Sequence, residues 1–528
     1  MNEKKPLFHI GIFLALFTTA LFVGFCIPST EGTLRNPLYL AIFFVVVLIV
    51  ILFFAFCGSG RERLQKEDLL PGIWNRLTVG SVLAGIFIKI CYVLYTQVWD
   101  RQHDVVDFHV GEGQAAYIEY FLTNRHLPDF DPRSIWGFFQ PPLHHILSAI
   151  WMKINLFLGF SERQAQENIQ VLTFFYMGAL MLITYEICRE LGLKERGMCI
   201  ALSIVSLHPV YILLSGSINN DALSLLLMVL SLYLVMLWYR KERIWLIVLL
   251  ALSIGLAMFA KLSGAMIAPA VAALFILKLV KEKGRRGKLL LQYVIFGVIC
   301  VPIGLFYTVR NMILFDMPVN YIPEVGQQFS EYPFWTRLFD FRLESVFPAM
   351  LENGDAFYEH NVFLALIKTS LFGEYNYVNL SKGFAIPSVL LFISAILLAL
   401  TAFFATLYLL FSKKSVLKNE WKWLFGVLYA TLLFSYFSFA LSYSNFSAQD
   451  FRYAALIIVI EAIMLGIVSD GKRTEAAERS KTAEAAKPAG PVEADRDRVL
   501  LMRMIKGSTA VFCICSLIVY FMLGFYKP

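Results

Sequence analysis

The sequence predicts an all-helical polytopic membrane protein of about thirteen transmembrane helices, and three observations carry that reading. Of the 528 residues, 58% are hydrophobic and only 16% are charged, with a mean hydropathy of +0.65. A water-soluble chain cannot hide that much apolar surface. Apolar runs of about eighteen residues, each long enough to cross roughly 30 Å of hydrocarbon as a helix, recur along nearly the whole length. Lysine and arginine cluster between alternate runs, as they do on cytoplasmic loops.

The spans are Ile10–Ile27, Leu38–Cys57, Gly80–Trp99, Ile169–Cys188, Gly197–Leu214, Ala222–Tyr239, Ile244–Ala260, Ala265–Val280, Leu289–Thr308, Phe384–Phe411, Trp423–Leu441, Tyr453–Val468 and Thr509–Phe525. Each crossing flips the side, so the basic clusters test the assignment. Those at Lys4–Lys5, Arg61–Lys66, Arg189–Arg196, Arg240–Arg243, Lys278–Lys288, Lys413–Lys418 and Arg473–Arg503 fall mostly on one side. The amino terminus is therefore expected inside and the carboxyl terminus outside. The stretch Leu143–Phe160 meets the hydropathy criterion only marginally, and it is read as an interfacial helix.

Four segments follow. Residues 1–79 hold two leading helices, and residues 80–469 form a transmembrane core with outer loops at 100–168 and 310–383. Residues 470–503 are rich in Ala, Glu, Lys and Pro and read as a disordered cytoplasmic linker, before a last helix within 504–528. The Lys-Lys start before an apolar run resembles a signal peptide, but no small-x-small cleavage site follows Pro28, which favours a retained first span.

The net charge of +7 is what orientation alone requires, so nucleic-acid binding is not expected. No Gly-rich phosphate loop, dinucleotide fingerprint or His-Glu-x-x-His pattern occurs. All eight cysteines lie within or at the ends of spans, which implies neither a disulfide framework nor a thiolate metal site.

The first outer loop is the informative segment. It reads Arg101-Gln102-His103-Asp104-Val105-Val106-Asp107-Phe108-His109, then Gly111-Glu112-Gly113-Gln114. Ala116–Leu122 has apolar residues at helical spacing, as a helix lying on a membrane surface would. Phe138-Phe139-Gln140-Pro141-Pro142-Leu143-His144-His145 then turns the chain into the second interfacial helix.

These motifs resemble the GT-C superfamily of polyprenyl-phosphate-sugar-dependent glycosyltransferases, which includes protein O-mannosyltransferases and the aminoarabinose transferase of lipid A. An acidic motif opening the first outer loop, surface helices behind it and an aromatic-x-Pro-Pro-Leu segment are shared features. Further matches stand at Asn219-Asn220-Asp221-Ala222-Leu223, Ala260-Lys261-Leu262-Ser263-Gly264, Arg310-Asn311 and Phe451-Arg452-Tyr453. Arg-Gln-His-Asp with Glu-Gly-x-x-x-Tyr-Ile-Glu-Tyr and Pro-Pro-Leu-His-His is similar to a bacterial subgroup of the family 39 type. The usual adjacent acidic pair is replaced by the separated Asp104, Asp107 and Glu112, and the two leading helices are an addition to the shared core.

The resemblance implies a glycosyltransferase that moves a hexose or mannose-like sugar from a polyprenyl-phosphate donor to an extracytoplasmic protein, lipid or cell-envelope glycan, working in a bacterial plasma membrane among its lipids. A carboxylate would take the proton of the attacking hydroxyl. Asp104 is the first choice because it stands just outside the third span, with Glu112 and Asp107 behind it. The leaving lipid phosphate gains negative charge, which Arg101, Lys261, Arg310 or Arg452 would stabilise. His103, Tyr117, His144, His145, Asn220 and Asp221 are the candidate substrate contacts. No cofactor is implied; a divalent metal fits the chemistry but is not indicated by ligand spacing.

Each group also has a plainer reading. The three acids are ordinary solvated carboxylates, the His-rich loop makes ordinary polar contacts, Asn219–Asp221 cap the sixth span, and Arg310 and Arg452 snorkel at the membrane edge. Lys89 and Glu461 lie deep in spans, where an unpaired charge is costly, and pairing with each other is one solution. The second outer loop either folds over the first and lines an acceptor cleft or is a lid. The rival function is a secondary transporter or lipid flippase. It is disfavoured because the chain shows no obvious repeat and gathers its polar groups in two outer loops.

Overall fold

The computed structural model describes residues 16, 17, 19, 73–99, 105–319, 321–323, 332–349, 359–375, 377, 380–413, 415–470 and 492–525. Among these residues the regular elements are all helical. In chain order they are α1 Ile73–Tyr95, α2 Gly113–Asn124, α3 Leu143–Phe157, α4 Glu162–Glu167, α5 Gln170–Glu190, α6 Glu195–Leu207, α7 Pro209–Gly216, α8 Asp221–Lys241 and α9 Ile244–Ala260. After these come α10 Ala268–Lys281, α11 Arg286–Phe315, α12 Phe334–Phe339, α13 Val362–Phe372, α14 Lys382–Phe411, α15 Asn419–Ser442, α16 Leu456–Asp470 and α17 Val492–Leu523.

Among the described residues, eight helices are long and apolar enough to cross a membrane, and ten if two bent pairs each count as one span. The chain is a multi-pass membrane protein. α9 is a shorter apolar helix, and with it every expected span from Gly80 onward falls on a helix. The expected spans Ile10–Ile27 and Leu38–Cys57 lie outside the described residues except at Leu16, Phe17 and Thr19. Phe17 meets Phe175 edge to face at 5.8 Å, which sets this fragment against α5. Residues 471–491 of the expected linker are also outside the description, and α17 begins at Val492, ahead of the anticipated boundary at 504.

Two spans are broken, and the first break has a local cause. Proline has no N–H and pushes the residue before it to extended backbone. His208, at φ −68° and ψ 127°, obeys that rule before Pro209, and α6 and α7 meet at 44°. The second break separates the short turns of Phe446–Ala454 from α16 by 47°.

Close helix approach depends on glycine at several places, and two show it against backbone. A Cβ on Gly85 of α1 would lie 2.5 Å from the Ser206 carbonyl, and one on Gly197 of α6 would lie 2.5 Å from the Gly466 carbonyl of α16. Small residues at these crossings let backbones touch where lipid offers no hydrophobic drive for association.

The helix ends sort by charge. At one end, Arg240 pairs with Glu190, Arg285 reaches Glu242 at 2.7 Å and Lys281 reaches Glu420 at 3.5 Å. Asp470 there accepts from the backbone N–H groups of Lys194 and Gly197 at 2.6 and 2.9 Å. The loops at 100–168 and 310–383 pack, in their described parts, at the other end, beside the starts of α8 and α16.

One expectation is corrected. Lys89 and Glu461 do not pair with each other. Lys89 donates to the carbonyls of Ser206 at 2.6 Å and Gly85 at 3.5 Å. Ser206 needs that donor because Val210 N–H, its partner in an unbroken helix, turns to His208 Nδ1. Glu461 accepts from the Tyr429 hydroxyl at 2.7 Å. The six described cysteines are all free thiols.

Candidate active site

Asp221 stands at the start of α8, where the chain re-enters the bundle after α7. Lys261, just past the end of α9, donates to Asp221 Oδ1. Arg452 lies 3.8 Å from Asp221 Oδ2 and 3.9 Å from Asp450 Oδ2, and the Asp450 side chain also accepts from the Arg452 backbone N–H at 2.8 Å. The Tyr453 ring faces both cations, with Lys261 Nζ 4.9 Å and Arg452 Cζ 5.1 Å from its centre. Asp221, Asp450 and Arg452 are all buried. Two cations and two carboxylates thus meet where α8 and α16 begin and α9 ends, a charge-balanced cluster in which the pairs offset the cost of burial.

The neighbouring asparagines divide two tasks. Asn219 Oδ1 accepts from the Asp221 N–H at 3.0 Å, a side-chain turn just before the cap position of α8. Asn220 instead donates to Gln140 Oε1 at 2.5 Å and to the Ala260 carbonyl at 2.9 Å. It ties the first outer loop to the residue before Lys261. Asn220 thus stands at the cap position of α8 without a side-chain cap bond, and Asp221 does not cap the helix either.

Tyr117, His144 and His145 are fully buried. His144 Nε2 donates to the Ile218 carbonyl at 2.7 Å, His145 Nε2 lies 2.5 Å from Gln114 Oε1, and the two rings sit 74° apart. Tyr117 stacks on Phe138 at 4.3 Å, donates to Tyr307 at 2.9 Å, and Tyr307 passes its own proton to the Phe138 carbonyl at 2.7 Å. The observed partners of all three are protein groups, so they fasten α2 and α3 to the bundle beside Asp221. Burial among apolar neighbours pushes His144 down to about 4 and lowers His145 as well, so both rings are neutral.

Of the acidic loop residues, Asp104 lies outside the described residues, as do Arg101 and His103. Asp107 pairs with Arg163 at 3.0 Å, and that guanidinium also covers the Trp99 ring at 3.4 Å. Glu112 occupies the cap position of α2 but makes no side-chain cap bond, and it is exposed. Arg310 does not join the cluster. It donates to the Pro128 carbonyl at 2.5 Å and to Asn311 Oδ1 at 2.9 Å, bracing the first loop against α11.

His109 stands nearer to carboxylates than its position in the sequence suggests. Its Nδ1 is 2.8 Å from Glu119 and its Nε2 3.7 Å from Glu162, and ligand atoms of the three lie within 4.8 Å of one another. Such a group has the donor set for a divalent cation, although exposed ion pairs of this kind are common without one.

Sequence reasoning passed over Asp450 and the groups that hold its segment. Arg337 of the second loop donates to the Leu441 carbonyl at 3.0 Å, Gln449 to the Glu359 carbonyl at 2.8 Å, and the Phe451 N–H to Thr369 Oγ1 at 2.9 Å. Phe139 of the first loop meets Tyr321 of the second at 5.7 Å. The second loop therefore touches the first and braces the strip that carries Arg452. The available signal was an acid two residues before Arg452, at the mouth of an apolar run.

Residues 140–306 match the family described as dolichyl-phosphate-mannose-protein mannosyltransferase. This stretch includes Gln140, Asn220, Asp221 and Lys261. No curated protein matches the chain. Among solved structures, the chain is similar to the archaeal oligosaccharyltransferase AglB from Archaeoglobus fulgidus, in complex with an inhibitory peptide and a dolichol-phosphate. The identity is 13%, over 85% of this chain and 56% of that one, with a TM-score of 0.44. It is likewise similar to ArnT from Cupriavidus metallidurans bound to undecaprenyl phosphate, at 15% identity over 85% of this chain and 77% of that one, with a TM-score of 0.47. The chain thus spans little more than half the length of the archaeal enzyme. The family match thus lies within the membrane core and covers about a third of the chain, and the motifs on either side of it resemble those of the GT-C glycosyltransferase superfamily.

Proposed function

We propose that the protein transfers a hexose or mannose-like sugar from a polyprenyl-phosphate donor to a protein, lipid or cell-envelope glycan on the outer face of a bacterial plasma membrane. The observation that carries this reading is the meeting of Lys261 and Arg452 on Asp221, at the end of the bundle that also holds the acid-bearing loop. The matching family is described by a lipid-phosphate mannose donor, which supports the donor class.

In the reaction an acceptor hydroxyl attacks the anomeric carbon opposite the phosphate. The new C–O bond forms as the bond to phosphate oxygen breaks, which inverts the centre. The hydroxyl proton passes to a loop carboxylate and the lipid phosphate departs with the bonding pair. Asp104 is assigned as base, with Glu112 second because its exposed side chain is not spent on capping. Asp107 is third, since its carboxylate is already engaged with Arg163 at 3.0 Å. Lys261 and Arg452 steady the leaving phosphate while Asp221 and Asp450 hold them in place, with Arg101 assigned to the same phosphate from the loop itself. No cofactor is assigned.

The orientation belongs to the same proposal, with thirteen spans, the amino terminus inside and the carboxyl terminus outside. α2 and α3 then lie along the outer surface. α3 has only fifteen residues, about 22 Å of helix, too short to cross the bilayer core. The buried charges that a transporter would use are held locally, Lys89 by a carbonyl freed at a helix break and Glu461 by Tyr429.

The test is a transfer assay with purified protein and a radiolabelled polyprenyl-phosphate sugar. Asp104→Asn keeps the shape and removes the proton acceptor, so turnover is expected to fall about a hundredfold or more with donor binding kept, and Glu112→Gln to cost less. Near-normal activity in Asp104→Asn with a dead Glu112→Gln moves the base to Glu112. Wild-type activity in both removes the loop from the mechanism.

A further inference from the structure

Away from the charged cluster, α2 and α3 line a half-open cavity of about 410 Å³ between the end of the first helix and the middle of the second. That is within the range of ligand sites. Its apolar wall includes Phe121, Leu122, Ile146 and Ile150, and its polar rim includes Arg125 and Lys153. No carboxylate lines it. Both cations are exposed, and among the described residues neither has an ion-pair partner.

The surface around the cavity is also apolar. Ile150 and Ile154 are 53% and 42% exposed, and Phe157 is 89% exposed, on the same helix as Lys153. A membrane protein turns such a face toward lipid, and a lysine set among these residues lays its stem along the hydrocarbon and lifts its ammonium to the headgroups. Arg125 ends α2 in the left-handed conformation, with φ 60°. An apolar floor calls for an acyl chain, and a rim of two unpaired cations calls for an anionic headgroup at its end.

We infer that the cavity between α2 and α3 is a binding site for one anionic phospholipid of the surrounding bilayer, with an acyl chain against Phe121 and Ile146 and its phosphate on Arg125 and Lys153. The inference rests on the proposed position of these helices at the outer membrane surface and on no part of the transfer chemistry. The bound lipid would fasten α3, whose first turn reaches the Ile218 carbonyl, three residues before Asp221, through His144.

Native mass spectrometry of the purified full chain, titrated with phosphatidylglycerol or phosphatidylcholine, reads the site directly. Phosphatidylglycerol is expected to bind first and more tightly. A basic residue beside an anionic headgroup contributes roughly fivefold in affinity, so Arg125→Gln with Lys153→Gln should weaken the tight binding by about twenty-five-fold. Ala149→Trp, which fills the cavity from its wall, should remove the tight site while leaving the rim charges in place. Each variant is compared with wild type for its melting temperature, so that loss of lipid is separated from loss of fold. Equal binding of the two lipids, or unchanged binding in both well-folded variants, overturns the inference. Displacement of phosphatidylglycerol by undecaprenyl phosphate at far lower concentration also overturns it, because the occupant is then the donor lipid. A chain that binds phosphatidylglycerol here but transfers no sugar keeps this site and loses the proposed activity.

Discussion

Asp221 holds two cations at once, and that makes its neighbours interdependent. Removing Asp221 leaves Lys261 and Arg452 facing each other without their shared anion, and removing Lys261 leaves a buried carboxylate with one distant partner. Lys261→Gln is therefore expected to raise the donor KM by tenfold or more and to leave the acceptor KM little changed. Equal changes in both constants would make Lys261 structural. Asp221→Asn combined with Lys261→Gln should cost much less than the sum of the two, and additive losses would show that the pair acts separately. The cations themselves were legible, because arginine and lysine at span ends stand out against hydrocarbon. The anion that joins them was not, because Asn219-Asn220-Asp221 reads equally well as a cap, and only the turn of Asn220 toward Gln140 separates the roles. Asp104 was legible as an acid but not as a geometry.

The neutral histidines give a pH dependence. Their folded pKa lies below the unfolded value near 6.5, so the unfolded chain binds protons first as pH falls, and stability is lost from about pH 6.5 down toward 4. Thermal melting followed across that window should show the drop, and His144→Gln with His145→Gln should flatten it. A wild-type melting temperature independent of pH over this range would contradict the burial of both rings.

At the scale of elements, hydropathy located the apolar helices from Gly80 onward and overlooked their breaks. The stretch Gly197–Leu214 reads as one apolar run because a single proline scarcely changes a window average, yet Pro209 ends one helix and starts another. The freed Ser206 carbonyl then takes Lys89, which explains a buried lysine that the sequence presented only as an anomaly. Tyr453–Val468 likewise hides the turns that carry Arg452. The crossing at Gly85 depends on the same break, so Gly85→Val forces a methyl-bearing carbon onto the Ser206 carbonyl. A loss of about 1–3 kcal/mol is expected, read as a lower melting temperature in detergent with the helix content kept. Unchanged melting would mean that α1 and α6 approach less closely.

At the scale of the whole molecule, sidedness decides everything else. A cysteine at Asp129 or Leu343 should react with an impermeant reagent from outside intact cells, and one at Gly284 should not. Opposite labelling of Asp129 and Leu343 would mean that α3 crosses the membrane after all. The expected orientation rests on the alternation of basic clusters, since sidedness is written in charge and needs no contact between distant residues. The brace from the second loop to Gln449 and Phe451 was not legible, because it runs through backbone groups that every residue possesses.

The most direct test places purified protein in sealed vesicles with a polyprenyl-phosphate sugar labelled in the sugar, and with acceptor supplied only at the face that carries Asp129. Glycosyl transfer predicts that label appears in the acceptor as unlabelled lipid phosphate accumulates, and that Asp104→Asn stops both. Label that crosses the bilayer still attached to its lipid, with no sugar released in the presence of acceptor, would contradict the enzyme and leave a flippase.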